Sequence, residues 1–434
     1  MERVISLFLM TAAMTAGGFA KTLYDLPKYE SIRKLILTPD GSTLYVEFLN
    51  DYMVTVLKNG EVYGKHNLIK NSFYSDNGKS VGWILENDMT KKNEIYLNGK
   101  KAAETDFTCL IYFTPDGSRW GYPFEQDEKN YYQIDNETFG PHKFGACIFF
   151  SSDNQHTGYN YSLAEYEEYA VIDGKKFGPY EEVNGPYFSP DGSIVSYLYM
   201  KNWEHFIDVN GKTYDVYMEG YVPSYSPDNQ HFAFTYVKGG KYYACIDGKS
   251  EGGYGDIEDV SFSADSSEYG YAYKKALQKY YMKVGKKDYG PFDSAYALHY
   301  SPNGKDFGFA YKKGGKAVKN EYGTKMVAGG KWYINITGKD YGPYDGVLYR
   351  NIDTIRFSGE HWGFLYGTGC VQPEGEVFSQ PGITDFEGGK WSVCIDGKSF
   401  GGYPWMDFCF TPDGNAMIAY IDGQKAVVET VELK

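Results

Sequence analysis

The chain has 434 residues, of which 51 are glycine and 18% are aromatic, and its 43 basic and 57 acidic side chains give a formal charge of -14. Glycine weakens helix interiors and aromatic side chains favour pleated surfaces, so the composition favours an all-β fold over a helical bundle. The acidic balance argues against a nucleic-acid partner, which needs a basic face to displace counterions from phosphate. It argues against an anionic membrane surface for the same reason.

The first 20 residues predict a signal peptide. Arg3 precedes an apolar run, and Gly18 and Ala20 stand at the small-residue spacing that a signal peptidase recognises. The alternative is a short membrane anchor, but threonine and glycine dilute the run below the roughly 20 apolar residues that a span needs. No later stretch approaches that length. We therefore expect no membrane span, export to the periplasm or exterior, and a mature chain of residues 21–434.

From residue 34 to the C terminus the chain repeats about every 38 residues. An aromatic residue, Ser or Thr, Pro, Asp and Gly follow one another at residues 113–117, 188–192 and 410–414. Looser copies of this unit begin at Leu37, Tyr74, Phe150, Tyr225, Phe262, Tyr300 and Phe357. Self-similarity at a constant period indicates a repeat architecture.

A second unit follows each of the first nine copies. It has the form Asp-Gly-Lys, then an aromatic residue, Gly, Pro and another aromatic residue, and it is clearest at residues 172–180, 284–292, 336–344 and 395–403. Asp-Gly supplies the positive φ angles of a tight hairpin. Each repeat is therefore interpreted as four short strands, named a to d here. The Pro-Asp-Gly turn joins a to b, and the Asp-Gly-Lys turn joins c to d.

Four-stranded units of this length, repeated radially, make a β-propeller. The Gly-Pro pairs of strand d agree with this fold, because proline cannot donate to a ladder and is confined to sheet edges. The last repeat lacks a strand d, and residues 22–33 could supply it, which would close the ring by pairing the two ends of the chain. We predict an all-β propeller of about ten blades in one ring, with two smaller rings as the alternative.

The Phe-Ser-Pro-Asp-Gly turn, repeated through residues 34–434, resembles the WD40-like PD40 repeat of periplasmic TolB-type propellers. The ninth copy departs from the pattern at residues 357–361, and the Asp-Gly-Lys hairpin is not part of the common pattern. The chain also shows no separate non-propeller domain of the kind that TolB-type proteins carry. The resemblance implies an architecture, and a Tol-like role would be an analogy only.

Six cysteines would lie in an oxidising compartment, where disulfides are permitted. Cys109 and Cys147 fall in matching strands of consecutive repeats, so they are the pair whose disulfide we would test. The alternative is that the cysteines are small buried hydrophobic residues.

Several motifs that suggest chemistry have a structural explanation. Two Gly-x-Ser-x-Gly matches, around Ser250 and Ser399, fall in the c-d hairpin, whereas a nucleophile elbow needs a helix after it. His156 and His231 share one repeat position, so they point to different sectors of a ring and cannot converge on one metal. The repeated Asp is expected to cap its turn. We predict no catalytic residue, no metal and no cofactor.

Repeats eight and nine exceed the common period, and in both we assign the extra residues to the b-c connection, near 312–331 and 366–390. The first insertion is lysine-rich and the second is acidic. All b-c connections emerge on one face, where binding usually resides, although the two insertions could instead pair with each other or be disordered. The candidate ligand-binding residues are Lys316, Lys319, Tyr322, Lys325, Trp332, Glu374, Glu376, Phe378 and Phe386.

These observations favour a binding protein over an enzyme. The leading hypothesis is a non-enzymatic exported propeller that binds a protein or peptide partner of the cell envelope through the face with the two insertions. The alternative is a protein that binds carbohydrate or cell-envelope glycan, or a glycan-active lyase or hydrolase. A third hypothesis is a purely structural envelope component.

Overall fold

The computed structural model of the protein describes residues 21–50, 53–67, 69–87, 89–216, 222–275, 279–319, 325–348, 355–371 and 386–433. These residues form strands and turns and contain no helix, so none of them forms a helix that could cross a membrane. The strands make ten separate antiparallel sheets in the order a-b-c-d, the blades of a ten-bladed β-propeller. The predicted all-β propeller is confirmed.

The first five blades have their strands, in order a to d, at the following positions. Blade 1 comprises Ser31–Leu37, Leu44–Asn50, Met53–Lys58 and Glu61–Asn67; blade 2 Ile69–Tyr74, Val81–Glu86, Asn93–Leu97 and Lys100–Thr105; blade 3 Tyr112–Phe113, Trp120–Gln126, Lys129–Ile134 and Glu137–His142; blade 4 Phe144–Phe150, Thr157–Ala164, Glu167–Ile172 and Lys175–Tyr180; blade 5 Glu182–Phe188, Val195–Lys201, Glu204–Val209 and Lys212–Asp215.

The remaining blades follow the same order, except that strand a is in two pieces in blades 7 and 9. Blade 6 comprises Ser224–Tyr225, Phe232–Lys238, Lys241–Ile246 and Lys249–Tyr254; blade 7 Asp256–Ile257 with Ser261–Phe262, Tyr269–Lys274, Tyr280–Val284 and Lys287–Phe292; blade 8 Ser294–Tyr300, Phe307–Lys319, Lys325–Ile336 and Lys339–Tyr344; blade 9 Gly346–Val347 with Ile355–Ser358, His361–Thr368, Lys390–Ile395 and Lys398–Tyr403; blade 10 Met406–Phe410, Ala416–Asp422, Lys425–Val431 and Lys21–Asp25.

The N-terminal strand completes blade 10. Lys21–Asp25 pairs antiparallel with Lys425–Val431, so the two ends of the described chain are joined within one sheet. Across the same closure, the backbone N–H of Leu37 in blade 1 donates to the Asp407 carboxylate of blade 10 at 2.9 Å. The predicted closure of the ring by the chain ends is confirmed.

The hydrophobic core is divided among the contacts between blades. Ten clusters of buried residues lie one at each of the ten boundaries between neighbouring blades, including the boundary between blade 10 and blade 1. The blades therefore form one closed ring rather than two smaller ones. Most of the most deeply buried aromatic side chains lie on strand b, and they include Tyr45, Trp83, Tyr271, Phe309 and Phe364.

The repeated Pro-Asp-Gly unit forms the a-b turn. In blade 3 the Thr114 hydroxyl donates to the Asp116 carboxylate at 2.8 Å, and the same carboxylate accepts from the Ser118 N–H at 2.9 Å. Gly117 supplies a φ of 69°, a left-handed conformation that glycine adopts without strain. The hydrogen bonds from Ser118 and Thr114 hold the pKa of Asp116 below its usual value. The prediction that this aspartate caps its turn is confirmed.

Candidate functional site

The two faces of the ring differ in their exposed side chains. Because the strands alternate in direction, the b-c turns and the d-a connections emerge on one face, called the b-c face here, and the a-b and c-d turns emerge on the other. Ten large apolar side chains of the described residues are exposed, and eight of them lie at the b-c face: Met89, Phe107, Phe144, Leu163, Tyr166, Trp203, Val222 and Val371. Grouped exposed apolar residues mark interaction surfaces.

The insertion of blade 8 is a β-hairpin rather than a loop. Its strands b and c remain paired from Gly308 opposite Ile336 to Lys319 opposite Lys325. Strand a accompanies strand b only as far as Lys312. The six steps from Lys313 to Lys319 therefore project about 20 Å above the blade, at roughly 3.4 Å per residue.

Both insertions interrupt a two-glycine turn. In blade 6 the b-c turn is Lys-Gly-Gly-Lys at residues 238–241, and both glycines have positive φ. Removing residues 315–329 from blade 8 would leave the same Lys-Gly-Gly-Lys sequence, and removing residues 370–388 from blade 9 would leave Thr-Gly-Gly-Lys. The insertions are thus additions to a complete blade. Extra residues also lie between the two pieces of the next strand a, Gly346–Val347 and Ile355–Ser358, so the b-c insertion accounts for only part of the extra length of repeat eight.

Carboxylates anchor the bases of both insertions to the ring. Asp293 follows strand d of blade 7, and its side chain accepts from the Gly315 N–H of blade 8 at 2.8 Å. Asp345 follows strand d of blade 8 and accepts from the Gly369 N–H of blade 9 at 2.6 Å. Each carboxylate also pairs with a lysine of its own blade, Lys279 and Lys331 respectively. The direction in which each insertion leaves the ring is therefore set by the preceding blade.

The pKa values of these two carboxyl groups follow from their contacts. Burial alone would raise the pKa of Asp293, but its hydrogen bonds with Lys279 and Gly315 outweigh burial and lower it. The hydrogen bond from Lys331 is the largest influence on Asp345, and together with the bond from Gly369 it holds the pKa of Asp345 below its usual value. Both groups are therefore anionic at neutral pH.

The predicted ligand-binding residues have different environments. Lys316 is exposed on the projecting hairpin, whereas Trp332 and Phe386 are only 2% and 6% exposed and pack in the core. Phe386 packs edge-on against Trp391, with ring centres 5.3 Å apart. These two aromatic side chains hold the bases of the insertions and present no ring to a surface ligand. Of Lys319 and Lys325 the structure describes the paired backbone; Tyr322, Glu374, Glu376 and Phe378 lie outside the described residues.

Sequence reasoning missed an aromatic pair on the b-c face. Tyr166 and Trp203 lie in the b-c turns of blades 4 and 5, are 54% and 66% exposed, and have ring centres 5.2 Å apart in an edge-to-face arrangement. Both have positive φ, 60° and 63°. The signal was available in the alignment of repeats, because the position of Trp203 holds Gly240 in blade 6.

The remaining chemical motifs serve the turns. His156, His231 and His361 each hold the aspartate of the c-d turn in their own blade, with nitrogen to oxygen distances of 2.7 Å. Ser250 lies in strand d and accepts from the Tyr236 hydroxyl at 2.8 Å, so its predicted place in the c-d hairpin is confirmed. Within the described ranges no three His, Cys, Asp or Glu side chains lie close enough together to hold a metal ion.

All six cysteines lie in described ranges and are free thiols, so no disulfide joins Cys109 and Cys147. Burial raises the pKa of Cys394 to about 11 and that of Cys409 to about 12. A thiol with a raised pKa is a poor nucleophile at neutral pH, so these two behave as the small buried hydrophobic residues of the alternative interpretation.

A groove of about 550 Å³ lies between blades 6 and 7 on the outside of the ring. Tyr254 and Tyr273 line it, but their rings pack on each other with centres 4.4 Å apart, and Tyr273 is only 2% exposed. Tyr269 also lines the groove, and the Lys283 ammonium lies 5.3 Å from the centre of its ring.

Comparisons with known proteins assign no family to this chain. No protein-family model and no curated protein matches it. Among solved structures it is similar to a eukaryotic initiation factor, with 11% identity over 73% of this chain and 91% of the other and a TM-score of 0.45. It is also similar to the β-propeller domain of the trilobed protease from Pyrococcus furiosus, with 14% identity over 60% and 97% and a TM-score of 0.33.

A protein from Agrobacterium tumefaciens assigned as a TolB is similar as well, with 15% identity over 48% of this chain and 84% of that one and a TM-score of 0.28. Likenesses at this level of identity reflect the fold alone. All three TM-scores lie below 0.5, so these structures carry no argument about this chain, and the PD40 assignment of the repeat stays a prediction.

Proposed function

We propose that this protein is a non-enzymatic propeller that binds a protein partner through its b-c face. The observation that carries the proposal is the grouping of exposed apolar side chains on that face, where eight of the ten in the described residues lie. A rigid ring that presents apolar side chains from its turns has the features of a docking surface. The two insertions extend the same face.

The insertions can be tested by deletion, because each is spliced into a short turn. A chain without residues 315–329 keeps Lys313-Gly314 joined to Gly330-Lys331, and the glycines already have φ of 82° and 83°. A second variant lacks residues 370–388. We expect the first variant to fold like the parent and the second to fold with a lower free energy of unfolding, because it loses the buried side chains of Cys370 and Phe386. Circular dichroism and urea unfolding would check both.

The binding experiment is a cross-linking pull-down from the native cell envelope with the parent and both deletion variants. We expect the parent to capture a protein that one or both deletions lose. The matched control is an equally folded variant changed on the opposite face, Glu137→Lys, which should capture the partner as the parent does. Capture that is unaffected by the deletions but lost in the control would place binding on the opposite face and contradict the proposal.

We further propose that the protein acts outside the cytoplasm after cleavage behind residue 20. The small-residue spacing at Gly18 and Ala20 supports this proposal. In the structure Lys21 is the first residue of the strand that completes blade 10, so a cleaved chain would keep that strand whole. Mass spectrometry of the protein from a cell fractionation should find an N terminus near Lys21; an intact Met1 in the cytoplasmic fraction would contradict export.

A further inference from the structure

One charged position on the b-c face changes sign in two neighbouring blades. The residue at or next to the b-c-face end of strand c within the blade is lysine in seven of the ten blades, namely Lys92, Lys129, Lys241, Lys279, Lys331, Lys390 and Lys425. Blade 1 has Met53, and blades 4 and 5 have Glu167 and Glu204. The charge is reversed in the two blades that carry the exposed aromatic pair.

In blade 8 the lysine at this position forms an ion pair with an acidic residue. In blade 8, Lys331 pairs with Asp345, the acid that follows strand d and accepts a backbone N–H from the next blade. Blade 4 has the equivalent acid, Glu181, and one of its oxygens accepts from the Asn202 N–H of blade 5 at 3.1 Å. Its second oxygen is buried and has no hydrogen-bond partner among the described residues. Where blade 8 supplies a cation, blade 4 has Glu167.

More carboxylates surround this position. Glu168 accepts from the Val183 N–H at 2.8 Å, and burial together with the nearby Glu182 raises the pKa of Glu168. Glu182 and Glu204 are exposed.

Glu168 follows Glu167 in strand c, so the two side chains point to opposite faces of the sheet. Glu167 accepts from the Tyr169 hydroxyl at 2.7 Å, and in the part of the chain that the structure describes neither Glu167 nor Glu181 forms an ion pair with a lysine or arginine. A cation that binds beside such carboxylates favours their charged form.

The aromatic rings lie at the tips of the same two blades. Tyr166 and Trp203 keep positive φ although both are bulky, a conformation that costs free energy and persists where the surrounding structure or a function requires it. Ring faces of Trp and Tyr attract cations, and a guanidinium group favours both stacking on rings and pairing with carboxylates.

We propose that the b-c turns of blades 4 and 5 bind a cationic side chain, arginine or lysine, of the partner protein, with Tyr166 and Trp203 against its face and Glu167 and Glu181 supplying the negative charge. The inference rests on the proposed function and names the chemistry of one contact. The partner's cation takes the role that Lys331 has within blade 8.

The test is a fluorescence-anisotropy titration with a labelled peptide, Gly-Arg-Ser-Gly-Arg-Ser-Gly-Arg-Gly, against the same peptide with citrulline in place of arginine. Citrulline keeps the shape of the side chain and removes its charge. We expect the arginine peptide to bind at least tenfold more tightly than the citrulline peptide. Trp203→Gly should weaken binding about three- to tenfold, in line with the strength of a cation–π contact.

Glu167→Lys restores the residue that other blades carry and supplies an internal cation to Glu181. We expect this variant to be at least as stable as the parent in urea and to bind the arginine peptide at least tenfold more weakly. Glu137→Lys, which makes the same charge change on an exposed strand d residue of blade 3, controls for net charge and should weaken binding less than twofold.

Three results would overturn the inference: no binding of the arginine peptide at millimolar concentration, equal binding of the citrulline peptide, or equal weakening by Glu167→Lys and Glu137→Lys. Its failure can be told apart from that of the proposed function. If the envelope partner is captured and lost with the insertions but is unaffected by Trp203→Gly and Glu167→Lys, the b-c face binds and the cation contact is wrong.

Discussion

At the scale of single residues, the repeat separates structural from functional constraints. A side chain that recurs through the repeats, such as the aspartate of the a-b turn in seven of the ten blades, is explained by its own turn, where it accepts backbone and hydroxyl hydrogen bonds. A residue needs another explanation when it differs from the residues at the same position in other blades and is also unfavourable for its own backbone conformation. Trp203 is such a residue, because its φ of 63° is one that Gly240 adopts in blade 6 without strain.

Trp203→Gly is therefore expected to stabilise the fold while it weakens binding. Relief of the left-handed conformation stabilises the folded chain, whereas the loss of the contact with Tyr166 and the greater freedom of glycine in the unfolded chain destabilise it. The net effect should raise the free energy of unfolding by about 0.5 to 1 kcal/mol. Urea unfolding measures this change. Trp203→Ala keeps the Cβ atom and should show no gain, and Gly240→Ala should cost about 1 kcal/mol. A destabilised Trp203→Gly would show that Trp203 is there to stabilise the turn.

At the scale of elements, the acid after strand d joins one blade to the b-c turn of the next. Asp345 is an example. Its carboxylate pairs with Lys331 and accepts from the Gly369 N–H, and it thereby orients the insertion of blade 9. Its pKa is lowered in the folded state, so its contribution to stability is fully present above its unfolded pKa and is lost as the pH falls through the folded pKa.

Asp345→Asn is expected to lower the free energy of unfolding by about 1 kcal/mol at pH 7, a modest value because Lys331 is largely exposed. The difference in free energy of unfolding between the parent and Asp345→Asn should become smaller as the pH falls below the usual pKa of an aspartate. Urea unfolding as a function of pH measures it, and hydrogen exchange at Gly369 should be faster in the variant. A difference that stays constant down to acidic pH would contradict the role of the ionised carboxylate.

At the scale of the whole molecule, stability depends on closing the ring. Strand d of blade 10 comes from Lys21–Asp25, at the other end of the chain from the rest of its sheet. Leu26, just beyond it, is buried with Leu35 and Val428 in the cluster between blades 10 and 1. Every other blade has contiguous strands, so this pairing is the long-range contact that turns a row of blades into a ring.

A chain that begins at Leu26 should therefore be less stable than one that begins at Lys21, by roughly 3 to 5 kcal/mol for the five lost strand residues at about 0.5 to 1.5 kcal/mol per hydrogen bond. Urea unfolding compares the two chains. Leu23→Asn changes only a partly exposed side chain of the same strand and serves as the control, with a loss below about 1 kcal/mol. Equal stability of the two chains would show that the strand does not hold the ring closed.

The sequence by itself determined the fold, because a propeller is built from local features that recur. The turn residues at constant spacing specified the strands and their order in the blade. They also showed that the last blade lacks a strand, which residues 22–33 were expected to provide; in the structure Lys21–Asp25 provides it. The constant period also located the two insertions, although it did not distinguish a loop from the paired hairpin of Phe307–Lys319 and Lys325–Ile336.

Only the tertiary structure decided which aromatic side chains are exposed. Trp332 lies within strand c of blade 8 and is buried, whereas Trp203 lies at the tip of a turn and is exposed; in sequence both follow a polar residue and precede a strand pattern. It also decided which charges meet, since Lys331 and Asp345 are 14 positions apart in sequence and form an ion pair at the b-c face of blade 8. Burial and pairing depend on what packs alongside, and that is set by the ring.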